Sequence, residues 1–399
     1  MKKIFLRTFL FFCIFFNFSA IYANLVTSQK FNYTLDLPEG FEITAMEADE
    51  TSTIFKSKYL EAYALSKVWE NSKFSSAKEA LSQTLSRLKS ESEFSECVWR
   101  RQKCAVASFS SPSLLDENAK GWAISVPLPQ KKGFLVLLAY SPEKFEADLQ
   151  QVLISVLDSV MIDAGSFREP GIITSAFFPR NSPRKINLEI DGKSFETQID
   201  AGDSEANQFV IDREWAVFIF YAKNNLPEMF DAWTRFYRIL AKDTVERVKR
   251  AAFDIYSNLW AEAEKKDSSN PNAALAQILL TWTQNFSYDR KSARPEKADI
   301  ESIPAILEGG SSDCDGRSLL LMCLLKNCGI DACMFLSAEY SHALLGVYLP
   351  EKQGQTISIQ EENGTKDYLV GETTAKNVTL GMIPADMQDR SKWISVELP

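Results

Sequence analysis

The stretch SSDCDGRSLLLMCLLKNCG, residues 311–329, sets three cysteines around an apolar run, and the chain's single histidine, His342, follows it. Cys314 stands at the first turn of the helix that this run predicts. Backbone N–H groups without intrahelical partners, together with the positive end of the macrodipole, favour an anion there. A thiolate so placed has a lowered pKa and is the attacking species. The same N–H groups can hold the oxyanion of a tetrahedral intermediate. Asp313 and Asp315 oppose this, because adjacent negative charge disfavours the thiolate. A reactive Cys314 therefore needs a neighbouring cation, for which His342 and Arg317 are the candidates.

The other cysteines read differently. Cys97 and Cys104 lie symmetrically about Arg100-Arg101 in CVWRRQKCAVASF, so a disulfide across a hairpin is expected. Cys323 falls mid-helix in an apolar run and should act as a small core hydrophobe. Cys323, Cys328, Cys333 and His342 have the residue types of a Cys3His zinc set, but structural zinc ligands are usually paired more closely, and no metal site is expected. Cys328 and Cys333 flank Gly329 and could pair, which the spacing leaves open.

The elements that must position these residues divide the chain into segments. Residues 24–165 read as an α+β unit, a sandwich-like meander with helices on it. FNYTLDLPEGFEI alternates up to a Pro-Glu-Gly turn, Ser76 and Glu79 make a capping box, and GWAISVPL and GFLVLLAY are strands. A helix follows Ser141-Pro142. Residues 166–226 read as β-rich, with a hairpin at Asp191-Gly192 and further strand in QFVIDREWAVFIFYA. From Pro227 to 270 the apolar spacing alternates three and four, predicting one long amphipathic connector helix or a helical pair. Residues 271–399 hold a helix (AALAQILLTWTQNF), the 311–329 segment, and a meander of DACMFLS, HALLGVYLP, TISIQEENG and DYLVGETT. Gly309 and Gly310 permit a tight path before Cys314, and Gly329 is a good residue to end its helix.

Composition bounds the function. With 45% hydrophobic and 24% charged residues the chain is of ordinary globular type, and its formal charge of −9 comes without a basic stripe, which argues against nucleic-acid binding. Residues 1–23 carry Lys2, Lys3 and Arg7, then FLFFCIFFNF and AIYA, the pattern of a cleaved signal peptide. The mature chain is expected to lack a transmembrane span and to reside in the periplasm or be secreted.

The last segment resembles the transglutaminase-like superfamily. WTQNFSYDR looks like that family's aromatic lead-in, GSSDCDGRSLLL like its nucleophile segment, GIDACMFLS like the next strand and YSHALLGVYL like its histidine segment. YLVGETTA is similar to the segment bearing the acid, here Glu372 where the family more often has Asp. The resemblance implies a papain-like fold and a Cys314–His342–Glu372 triad: Cys314 attacks an acyl carbon, His342 moves the proton, Glu372 orients the imidazole, and a thioester acyl-enzyme forms. The Cys314 N–H would be one oxyanion donor and Gln284 a second. No metal or organic cofactor is implied. The first segment resembles PsbP-like α/β sandwich domains through LDLPEGF, its GW strand and ISVLDSV, which implies a binding or accessory module.

Two functions follow from this sequence. One is an exported cysteine-dependent amide or peptide hydrolase, or an acyltransferase, acting on a peptide or protein substrate in the cell envelope. The other is a non-catalytic envelope binding or scaffold protein, in which His342 is a satisfied core residue and Glu372 a solvated strand end. Oligomeric state is not legible.

Overall fold

The computed structural model describes residues 25–70, 74–290, 297–351, 353–361 and 364–398, so the signal-peptide expectation for residues 1–23 lies outside the described residues. It shows a mixed α/β chain. Its first part is built on a seven-stranded antiparallel sheet of β1 (Phe41–Met46), β2 (Ser52–Ser57), β3 (Tyr63–Trp69), β4 (Glu91–Trp99), β5 (Gln102–Ser111), β6 (Ala119–Pro127) and β7 (Phe134–Pro142), ordered β1-β2-β3-β7-β6-β5-β4. Both faces of β7 are covered, which is why FLVLLAY reads as an unbroken apolar run. Val136 and Leu138 face helix α1 (Ala77–Arg87) through Leu81 and Leu85. Leu135 and Leu137 face helix α2 (Glu146–Asp158) through Leu153 and Val156. The Ser76 hydroxyl caps α1 by accepting from Glu79 N, while the Glu79 carboxylate turns to Ser75.

The expected hairpin of β4 and β5 is present, with Arg100 and Arg101 at φ 51° and 62° in its two-residue turn. Left-handed φ at both positions is the requirement of a type I′ turn. Cys97 and Cys104 are register partners across this hairpin, and both carry free thiols.

The middle corrects the sequence reading. The hairpin of Pro183–Ile190 and Lys193–Asp200 forms, but QFVIDREWAVFIFYA is not strand: it lies in helix α3, Asp203–Lys223. The helical period was hidden because the buried face of α3 carries Asn207, Arg213 and Glu214 beside Val210 and Val217. Of the two forms expected for the connector, the helical pair is the one present: α4 (Met229–Arg247) and α5 (Lys249–Lys266), broken at Val248.

Around these helices charges are buried in pairs. Arg238 forms a two-pronged contact with Asp36, 2.8 Å at each prong. Arg213 bonds Asp158 at 2.6 Å, and Arg235 bonds Glu214 at 2.8 Å. The first two contacts tie α4 and α3 to the first part of the chain, and the third joins α4 to α3.

With α6 (Pro271–Gln284) lying on α5 and on α7 (Cys314–Asn327), the last part packs α7 against a five-stranded antiparallel sheet. Its strands are β8 (Ala332–Ser337), β9 (His342–Val347), β10 (Thr356–Glu361), β11 (Gly364–Gly371) and β12 (Ile394–Val396), in the order β10-β11-β9-β8-β12. The middle of α7, Leu319–Leu325, is apolar and buried, and Gly329 follows the Cys328 C-cap at φ +78°. No helix among the described residues is long and apolar enough to cross a membrane.

Candidate active site

Cys314 is held by the local structure of its own segment. Gly310, left-handed at φ 61°, ends the short helix Ile303–Gly309, and Ser311–Ser312 then pairs with Ser287–Tyr288. Asp313 is the N-cap of α7 and accepts from Gly316 N at 3.1 Å. Gly316 is required by a close approach: a Cβ there would lie 2.2 Å from Ser312 Oγ. The turn therefore packs tightly, and Cys314 is only 6% exposed.

The thiol's surroundings are acidic. Its S–H donates to Asp315 Oδ1 at 3.3 Å, and the Ala343 backbone N–H is aimed at the sulfur. Asp315 Oδ2 in turn accepts from the Tyr237 hydroxyl, on α4, at 2.6 Å. Burial raises the Cys314 thiol pKa well above the ordinary range, and the charges of Asp315 and Asp313 add to the rise. Burial also pushes the Asp313 carboxyl up to about 7, helped by Asp315. Asp315 is raised as well, by burial, against the lowering hydrogen bonds from Tyr237 and Cys314. The thiolate expected from helix position alone is thus not the resting form of this site.

His342 and Glu372 meet because their strands are antiparallel neighbours. Leu345 on β9 pairs with Gly371 on β11, so the start of one strand lies beside the end of the other. His342 Nε2 is 2.7 Å from Glu372 Oε2. Glu372 is 2% exposed, and its other oxygen accepts from Thr374 N at 2.7 Å and from the Thr374 hydroxyl at 2.6 Å. Burial alone would raise this carboxyl; the bond and charge of His342, with Thr374, bring it down to about 2. A carboxylate is an acceptor, so Nε2 carries a proton toward Glu372, and in the neutral form of the ring Nδ1 keeps its lone pair. His342 lies next in sequence to Ala343, whose N–H faces Cys314 Sγ, so the strand end that carries the His342–Glu372 pair is the one that approaches Cys314. The thiol proton is nevertheless held by Asp315 and not by the imidazole.

Gln284 does not take the place expected for an oxyanion donor. Its amide donates to Glu372 O and Val378 O, both at 2.8 Å, which uses both of its N–H bonds. Nor do the remaining cysteines converge on His342. Cys323 lies in the core against Ala241 O, Cys328 against Ala252 O, and Cys333 among Phe335, Leu344 and Tyr368. Sequence reasoning missed the Tyr237–Asp315 bond, since Tyr237 falls within the apolar spacing of the 227–270 connector and is accounted for there as a helix-face residue. It also missed the use made of Arg317, whose guanidinium is spent on main-chain carbonyls.

No known family's sequence profile matches the chain, and no curated protein matches it. Three solved structures illustrate how distant the structural likenesses are. Cyanobacterial PsbP from Synechocystis is 11% identical, over 36% of this chain and 96% of its own, with a TM-score of 0.29. A protein of Parabacteroides distasonis provisionally described as a protease is 10% identical, over 85% of this chain and 70% of its own, at 0.23. Red sea bream transglutaminase is 9% identical, over 80% of this chain and 47% of its own, at 0.18. None is similar enough to carry a fold or a function to this chain.

Proposed function

We propose that this protein is a cysteine-dependent acyl-transfer enzyme, an amide or peptide hydrolase or an acyltransferase of transglutaminase-like type in residues 271–399. The bond between His342 Nε2 and a buried, ionised Glu372 carries the reading, because it readies Nδ1 as a base beside Cys314. The resting thiol is neutral. His342 Nδ1 takes its proton as sulfur attacks the acyl carbon, a C–S bond forms, and the Cys314 N–H stabilises the oxyanion. Collapse expels the amine, which receives the proton from His342, and leaves a thioester. Water or a second amine then attacks the thioester and regenerates the thiol. Glu372 positions the imidazole through Nε2. The leader-like residues 1–23 motivate placing the protein in the periplasm or outside the cell, where a Cys97–Cys104 disulfide would form; non-reducing peptide mapping of protein from that compartment tests both.

The experiment is acylation by p-nitrophenyl acetate. A burst of one p-nitrophenolate per chain, with the acetyl group mapped to Cys314 and absent from Cys314→Ser, is expected. Acetylation scattered over lysines would sink the proposal.

A second reading, a binding or scaffold protein, is favoured by one observation: the Cys314 proton is held by Asp315. A Cys314→Ser variant that folds and keeps every cellular role of the parent would decide for it.

A further inference from the structure

We infer that Arg317 is the positioning residue that fixes the Glu372–His342 pair against the start of α7, an inference that rests on the acyl-transfer reading. Arg317 is 1% exposed, and its four hydrogen bonds all end on main-chain carbonyls. Nε and Nη2 donate to Ser312 O at 3.2 and 3.1 Å, two residues before Cys314. Nη1 donates to Thr373 O at 3.2 Å, one residue after Glu372. Nη2 also reaches Phe286 O at 3.0 Å, in the segment that leads from α6. One guanidinium thus joins the nucleophile segment, the acid segment and the segment between them and α6.

A buried guanidinium that hydrogen-bonds only carbonyls is a costly way to fill space; an apolar side chain of similar volume would pack without that penalty. What the fork supplies is fixed geometry, since its donors hold set directions that an ammonium does not. Gln284 works at the same point. It donates to Glu372 O while its own Oε1 is buried without a partner, a second polar side chain committed to holding that strand end. The Arg317 charge also faces Asp313, Cys314 and Glu372, and so favours their anionic forms.

The single histidine makes the test direct: protein labelled with 15N-histidine gives one imidazole signal set. In the parent, the Nε2–H signal should be protected from solvent exchange by Glu372. In Arg317→Met that exchange should quicken at least tenfold or the signal vanish, and Cys314 acetylation should fall at least tenfold. Arg317→Lys, which keeps the charge and loses the fork, should restore less than half of each. Folded variants with the parent's Nε2–H exchange would overturn the inference. So would loss of a cooperative melt in both variants, which would assign Arg317 to stability alone. A protected signal in a parent protein that shows no His342-dependent acetylation would break the acyl-transfer reading and leave the positioning result intact.

Discussion

Two buried acidic groups in this molecule are treated in opposite ways. Around α4, Asp36 and Glu214 are only 2% and 1% exposed, yet each has a guanidinium against it. Burial would raise both carboxyls, but Arg238 and Arg235 at Asp36, and Arg213 and Arg235 at Glu214, hold them below the usual range. At the start of α7 the acids form no ion pair with a guanidinium among the described residues. Asp313 accepts a backbone N–H, Asp315 accepts a phenol and a thiol, and both carboxyls rise. Paired acids serve the fold. The acids at Cys314 have instead a neutral thiol and a phenol for partners, and their carboxyls stay closer to protonation.

The largest effect should come from breaking a pair in the first group. Arg238→Met leaves Asp36 buried without its two-pronged partner and should cost about 3–5 kcal/mol, read as a lower denaturant midpoint. Asp313→Asn, in the second group, should cost far less at pH 8, where the parent must keep that carboxyl charged in a buried place. If Asp313→Asn is the more damaging, the contrast fails.

Glu39 is the exception within the first group, and it offers the next largest effect. Arg235 and Arg238 face Asp36, Glu39 Oε2 has no hydrogen-bond partner, and burial pushes this carboxyl up to about 7. Its folded pKa is raised above the unfolded value. Its contribution to stability is therefore complete below about pH 4.5 and is lost as pH rises through about 7. The loss is roughly 3 kcal/mol at most. Glu39→Gln should flatten this part of the stability profile between pH 5 and 8; an unchanged slope would show Glu39 to be ionised throughout.

Glu372 has the opposite sign. Held down at about 2, it contributes stability above the unfolded value near 4.5, lost as pH falls toward 2. Glu372→Gln should remove that acid-side loss and also weaken Cys314 acetylation, because a neutral amide does not fix the Nε2–H tautomer. Asp315→Asn should give the smallest change, a rise of about threefold to tenfold in Cys314 alkylation by iodoacetamide at pH 7 as one opposing charge is removed. A slower rate would mean that Asp315 helps the thiol.

Much of this was legible from local pattern. Apolar patterning marked β4 to β7 and β8 to β11 but not β2, β3 or β12, the two-residue turn at Arg100-Arg101 placed Cys97 opposite Cys104, and Asp313 and Gly329 bound the Cys314 helix as their types suggest. The resemblance named His342 and Glu372 as neighbours, and they bond at 2.7 Å. Helix α3 was not legible, because pattern reading takes Arg213 and Glu214 for solvent-facing residues and here they are core. The Tyr237–Asp315 bond and the carbonyl clamp of Arg317 join segments far apart in sequence, and nothing in either partner's neighbourhood announces the other.

The central claim is that His342 draws the proton from Cys314 against the two aspartates. Its most direct test is the rate of Cys314 acetylation between pH 5 and 9 in the parent and in His342→Ala. A base-assisted thiol should lose about a hundredfold to ten-thousandfold in rate when the imidazole is removed. Superimposable profiles in the two proteins would contradict the account.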